Sequence, residues 1–319
     1  MLKRIKNLDL SKMIRVVAGI IFRADGSFLL AQRPSGKVYS GFWEFPGGKI
    51  EPHESAEAAL ARELEEELGI VPTSCYPWVT KNHHYEHGHV NIQFFKVTEW
   101  SGELQSRESQ KIKWQTVGRI DVEPLLAPNI PVIRSLGYPS VYLITNLQEM
   151  GEDSFFKSLR QAVLRNPFMI QIREKNLSSH DLEVFSKEVI KICRSRDIKI
   201  LINGDELMAS RVFADGVHVN SVTLNSIQKR PEFPICAASC HSKKELQKAE
   251  QLGFDFAVLS PVSWTASHPD SVPLGWDVFQ SEISGIGIPI FALGGMSPSD
   301  LTSAWARGAA GISMMRACW

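Results

Sequence analysis

The 319-residue sequence offers little sulfur chemistry: its five cysteines (Cys75, Cys193, Cys236, Cys240 and Cys318) are odd in number and form no CxxC pair. That argues against a disulfide framework and against a zinc site of the usual spacing, and makes the cytosol the expected compartment. Long apolar runs are also missing, and nothing approaches the ~18 uninterrupted apolar residues of a membrane helix. The run "VVAGIIF" follows Lys3, Arg4 and Lys6, but it is short, lacks a small-residue cleavage pattern and enters the polar turn "RADGS". It therefore reads as a first strand rather than a secretory leader. Charge of one sign is not in excess either, with 35 basic and 35 acidic residues and no basic patch, so stable nucleic-acid and membrane partners are not expected. Low-complexity segments and simple repeats are absent.

What is present is a globular composition, 44% apolar and 22% charged, long enough for two ordinary domains. Residues 1–12, ahead of Met13, read as a short extension. Residues 13–137 read strand, turn, strand, loop, helix, strand, strand, with the helix starting near Ser55. At "LGYPS" the style changes, and residues 138–319 alternate short apolar strands with amphipathic stretches, the mark of parallel strands with helical crossovers. The strand candidates "VYLIT", "FMIQI", "KILI", "GVHV", "ICAAS", "FAVLS", "PIFAL" and "GISMM" suggest a closed (β/α)8 barrel, one without room for a full final helix after "GISMM".

The helix after Ser55 poses the first chemical question. At 100° per residue, with Leu60 at 0°, Ala56, Leu64 and Leu68 fall at about −40°, 40° and 80°, an apolar stripe. Glu67 then lies at about −20°, Glu63 at about −60° and Glu66 at about −120°. Two of three acids thus flank the buried edge, where a solvated face would not place them. A divalent cation offsets both their desolvation and their repulsion, and clustered carboxylates suit Mg²⁺, a hard ion that keeps waters for substrate phosphates to replace.

The spacing Gly48, Glu54, Arg62-Glu63-Leu64, Glu66-Glu67, Gly69-Ile70 matches the Nudix hydrolase signature at all seven fixed identities and both aliphatic places. Residues 14 to 137 resemble the MutT-type enzymes of that family, which remove pyrophosphate from 8-oxo-dGTP and serve DNA repair and replication. The resemblance implies an α/β/α sandwich with a mixed sheet and a small-molecule nucleotide substrate. It implies Mg²⁺ or Mn²⁺ held by the Gly47 carbonyl with Glu63, Glu66, Glu67 and Glu108, with Glu63 or Glu108 as general base. Arg62 would orient the acids and Glu54 would brace the loop before the helix. Arg33 would meet a phosphate, Glu44, Phe45, Pro46 and Gly47 would pass beside the nucleoside, and Asn129 would read the purine edge. Taken singly, Phe45 reads as core, Asn129 as a helix cap and Arg33 as a surface ion pair. Where the relatives carry an Asp-Arg pair beside the base, this sequence has His87-Gly88. The histidines of "NHHYEHGH" read as a solvated hairpin loop rather than a metal site.

Residues 140 to 317 resemble thiamine-phosphate synthase and its TenI-type relatives. This implies that Arg173, Lys175 and Asn203 contact a diphosphate, Ser239 lies near the substrate, and Gly294-Gly295 offer backbone N–H groups to a phosphate. The metal-binding Asp residues of synthases are replaced, by Gly204 and within "NSVTL", and a basic residue of the phosphate loop by His268. His241 stands where TenI-type tautomerases have a working histidine. The expectation is a nucleotide pyrophosphohydrolase fused to a degenerate synthase-like barrel with a phosphate ligand. Open alternatives are another nucleotide or a thiamine-pathway pyrophosphate as substrate, with the barrel as a ligand-sensing module or a thiazole tautomerase.

Overall fold

The computed structural model describes residues 13–85, 88–165, 167–266 and 272–319, so the 1–12 extension, His87 and His268 lie outside the described residues. The chain divides into two compact units between Gly137 and Tyr138. Among the described residues, no helix is long and apolar enough to cross a membrane.

In the first unit, β1 (Ile14–Ile21), β5 (Gly88–Ser101) and β4 (Val71–Tyr85) form a mixed sheet, β1 running parallel and β4 antiparallel to β5. A second, antiparallel sheet joins β3 (Trp43–Glu44), β2 (Phe28–Gln32) and β6 (Ile112–Gln115). Helix α1 (Ala56–Leu68) starts where the Ser55 side chain accepts from Ala58 N–H, and ends at Gly69 in the left-handed region, φ 73°. Its stripe of Ala59, Leu60, Leu64 and Leu68 packs on Val17, Ile21, Leu29, Phe95 and Val97, as the periodicity requires. Strand β6 and helix α2 (Asn129–Ser135) were not expected from the sequence pattern.

The hairpin of β4 and β5 corrects the reading of "NHHYEHGH" as a loop. His83 and His84 lie in β4 opposite Val90 and His89 of β5, and Tyr85 lies opposite Gly88. Ring contacts between His83 and Tyr85 and between His84 and His89 carry the ladder to that end of the hairpin.

In the second unit, eight parallel strands close into a barrel: β7 (Val141–Ile144), β8 (Met169–Ile172), β9 (Ile200–Asn203), β10 (Gly216–Val219), β11 (Ile235–Cys240), β12 (Phe256–Leu259), β13 (Ile290–Leu293) and β14 (Gly311–Met314). β14 pairs with β7 to complete the ring. The crossover helices pack Phe155, Leu159, Phe185, Val189 and Leu246 onto the strands. Residues 315–319 form no helix; the Trp319 indole N–H donates to the Ile144 carbonyl at 3.0 Å instead. All eight strands match the apolar runs, because each is short, bounded by polar loops and buried on both faces.

Candidate active site

The segment 44–48 crosses β1 by backbone pairing, with Val17 N–H donating to Gly48 O at 2.9 Å and Gly19 N–H to Pro46 O at 2.8 Å. Gly47 has φ +146°, and a Cβ there would lie 2.2 Å from the Val17 carbonyl oxygen. At Gly48 a Cβ would lie 2.2 Å from the Glu63 carboxylate. Gly47 therefore lets the loop lie against the β1 backbone, and Gly48 lets α1 place Glu63 directly against the loop.

Each predicted acid has its own surroundings. Glu67 accepts from Gly47 N–H at 3.2 Å. Burial pushes its carboxyl up to about 7, opposed by the Lys37 charge and reinforced by Glu44 and Glu108. Glu63 accepts from Arg62 Nη1 at 2.8 Å. Arg62 also grips both oxygens of Glu54, each at 3.0 Å, and the Lys49 carbonyl at 3.0 Å. Arg62 thus ties the helix to the loop before it, and Glu54 braces that turn by also accepting from Glu51 N–H at 3.1 Å. Glu66 points outward, its side chain 59% exposed, with Arg62 3.4 Å away. Glu108 accepts from Lys37 Nζ at 2.7 Å.

Glu63 and Glu67 thus face the backbone of Gly47 and Gly48, yet among the described residues no three acidic, histidine or cysteine side chains close around a common point. The donor set is oxygen only, it includes a largely desolvated carboxylate, and Gly48 leaves space for Glu63; in type it fits a hard divalent cation.

The predicted nucleotide-side residues lie along the neighbouring strands. Arg33 pairs with Glu44, whose carboxyl is raised by burial and pulled back by that guanidinium. Phe45 is core, its ring against Phe28 and Phe94. Asn129 is buried and caps nothing; its Oδ1 accepts from Phe45 N–H at 3.4 Å, so it braces the 44–47 segment. Two residues went unnoticed in the sequence. Lys37 is one. Gln110 is the other: it accepts from Glu108 N–H at 3.0 Å and donates to the Glu67 carbonyl at 3.1 Å, joining the Glu108 loop to the end of α1. Neither sits in a periodic pattern that could have announced it.

A family model described as NUDIX domain matches residues 17–135, and one described as thiamine monophosphate synthase matches residues 141–318, more than half the chain. The chain belongs to the thiamine monophosphate synthase family and carries a Nudix hydrolase domain before the barrel. The barrel half is similar to a putative thiamine-phosphate synthase 2 of Aquifex aeolicus, 34% identical over 55% of this chain and 95% of the relative. The Nudix half is similar to an 8-oxo-dGTP diphosphatase of Proteus vulgaris, 43% identical over 30% of this chain and 87% of the relative. It is also similar to a CTP pyrophosphohydrolase of Escherichia coli, 42% identical over 39% of this chain and 91% of the relative.

At the strand ends of the barrel lies a cavity of about 680 Å³. All seven predicted barrel residues line it: Arg173, Lys175, Asn203, Ser239, His241, Gly294 and Gly295. Arg316 adds a third basic residue to the wall, its guanidinium paired with Glu149 outside it, and no Asp or Glu is among the described lining residues. At one synthase metal position Gly204 has φ +72°; nearby, Asn220 spends its side chain capping a helix through Thr223 N–H at 2.8 Å. The residues do not fit a diphosphate-bound Mg²⁺. His241 Nδ1 lies 2.8 Å from the Ser260 carbonyl, which can only accept, so Nδ1 carries the proton and Nε2 is the basic nitrogen of the neutral ring.

Beneath the cavity, His218 bridges Tyr142 OH, 3.1 Å from Nδ1, and Ser239 Oγ, 2.8 Å from Nε2. Burial, and secondarily Arg173, push His218 down to about 3 from its ordinary 6.5. Between those values the unfolded chain binds the proton and the folded barrel does not. The stability this group contributes is therefore complete above pH 6.5 and is lost as pH falls towards 3. Urea unfolding of the barrel should show the loss, at up to about 1.4 kcal/mol per pH unit, and the His218→Asn variant should lack that component. Equal pH slopes in the two proteins would mean that His218 is already charged in the native barrel.

Proposed function

We propose that the Nudix domain converts 8-oxo-dGTP to 8-oxo-dGMP and pyrophosphate, with Mg²⁺ held by Glu63, Glu66, Glu67, Glu108 and the Gly47 carbonyl. The observation that carries this reading is Glu67: a carboxyl buried against Gly47 N–H, near two further acids, is costly to ionise unless a cation joins it. A bound divalent ion would supply neutralisation of phosphate charge and a lowered pKa for the attacking water. The chain's own residues do the rest. Arg62 fixes the orientation of Glu63, and Gln110 fixes the Glu108 loop. Arg33, released from Glu44, meets a phosphate, and the 44–47 segment, braced by Asn129, flanks the nucleoside. Glu63 or Glu108 takes the proton as water oxygen bonds to phosphorus and the bond to the pyrophosphate oxygen breaks.

The relatives act on two different bases by name, 8-oxo-dGTP and CTP, at nearly equal identity. The deciding experiment is a competition panel of 8-oxo-dGTP, dGTP, CTP and hydroxymethylpyrimidine diphosphate with Mg²⁺, scored for phosphate or pyrophosphate release. We expect kcat/KM for 8-oxo-dGTP to exceed that for dGTP by about 10²-fold, a difference of ~3 kcal/mol that a site hydrogen-bonded to the distinguishing atoms can supply. Preference for CTP or for the pyrimidine diphosphate would replace the substrate while keeping the chemistry.

For the barrel, the reading is metal-independent binding of a small phosphorylated ligand, with His241 Nε2 as a proton acceptor. The supporting observation is a wall with Arg173, Lys175 and Arg316 and no described carboxylate. The same panel, extended to hydroxymethylpyrimidine diphosphate plus thiazole phosphate, should yield no thiamine phosphate.

A further inference from the structure

The loop between β2 and β3 carries a cation to which the hydrolase reading gives no task. Lys37 Nζ donates to Glu108 Oε2 at 2.7 Å, spanning 71 residues of sequence. Arg33, at the start of the same loop, donates from Nε to the carbonyl of Val38, the residue after Lys37, at 2.7 Å and pairs with Glu44 at 2.5 Å, so Lys37 links an acid expected to hold metal to the loop of the arginine expected to hold phosphate. With 47% of the Lys37 side chain and 40% of Glu108 exposed, the pair adds little to folding stability. Stability does not explain a lysine aimed at this acid.

The two partners are anchored differently. Glu108 is fixed through its backbone: its N–H donates to Gln110, and the neighbouring Arg107 N–H donates to the Glu67 carbonyl at 2.9 Å. Lys37 ends a flexible four-carbon stem, a point charge with three rotatable donors. If a divalent ion takes Glu108, it neutralises the carboxylate and repels the ammonium, and the nearest strong anions become the phosphates that enter with the nucleotide.

We propose that Lys37 is a substrate-positioning residue that serves two anions in turn: the Glu108 carboxylate before a divalent ion binds, and the nucleotide's terminal phosphates afterwards. This rests on Glu108 being a metal donor. It makes Lys37 a competitor of the ion in the nucleotide-free protein and an ally of the triphosphate once the ion is in place. The loop that bears Arg33 is thereby coupled to metal loading.

The test uses the full chain with Lys37→Met and Lys37→Arg. Mn²⁺ is the probe, its free concentration followed by electron paramagnetic resonance without nucleotide, alongside steady-state hydrolysis of the best substrate of the panel. Lys37→Met should bind Mn²⁺ about threefold or more tightly, because no ammonium must be displaced, while KM rises about tenfold with kcat within about threefold. Lys37→Arg, which keeps the charge, should stay near wild type in both. Unchanged Mn²⁺ affinity or unchanged KM in Lys37→Met overturns the proposal, and so does weaker Mn²⁺ binding, which would make Lys37 a mere anchor of the Glu108 loop. A wild-type protein that binds no Mn²⁺ or cleaves no nucleotide removes the metal-site reading and the proposal together, and that failure is visible before any variant is made.

Discussion

Glu67→Gln is expected to lower pyrophosphate release from 8-oxo-dGTP by on the order of 10³-fold, about 4 kcal/mol of transition-state stabilisation, while leaving the domain folded. The amide retains an oxygen for Gly47 N–H, so the contact that seats α1 against the glycine loop survives. What is lost is the charge that a divalent ion needs. The stability change should have the opposite sign. Burial raises the folded carboxyl from 4.5 to about 7, so the folded state binds more protons than the unfolded state in that window. Stability of the wild type therefore falls as pH rises through it, and the cost is complete above pH 7. In chelator at pH 8, Glu67→Gln should be more stable to unfolding than wild type by on the order of 1–3 kcal/mol, and near pH 4 the two should coincide. An undiminished hydrolysis rate would take Glu67 out of the metal site.

The second large effect separates two adjacent glycines. Gly48→Ala would put a methyl group 2.2 Å from the Glu63 carboxylate, the far end of a flexible side chain. Glu63 can swing aside, so folding survives, but the acid leaves the place where Arg62 holds it. We expect activity to fall by about 10²-fold, the scale of a misplaced reacting group, with a near-normal melting temperature. Gly47→Ala instead meets backbone: the Val17 oxygen at 2.2 Å and Ala18 Cα at 2.9 Å, at φ +146°. Relief there requires breaking the pairing of the loop with β1, so this variant should lose ~3 kcal/mol or more of stability. Kinetics and melts on both variants check the contrast. A fully active Gly48→Ala enzyme would show that the position of Glu63 is not needed.

The parts of this protein legible in its sequence are those written in local periods. The α1 stripe and the acids beside it follow from 3.6 residues per turn, and the barrel strands follow from short apolar runs between amphipathic stretches. Contacts that close over long loops were hidden. Asn129 is expected at the purine edge or, taken singly, at a helix cap, and neither reading contains its bond to Phe45, 84 residues away. Lys37 and Gln110 have roles only because two loops meet at the end of α1. The histidines of β4 looked like loop residues because polar side chains at the end of a hairpin mask the alternation that marks a strand. In the barrel, the seven residues implied by the resemblance all line the cavity, whereas Arg316 and the Tyr142–His218–Ser239 chain depended on ring closure.

On the proposed reading, the barrel wall brings its own basic residues to an anion, whereas Glu67, buried against Gly47 N–H, needs a cation from solution. On this reading, starvation for divalent metal would halt nucleotide cleavage yet leave anion capture in the barrel running, limited only by ionic strength and by competing inorganic phosphate. One polypeptide would then keep one of its two phosphate chemistries when magnesium becomes scarce.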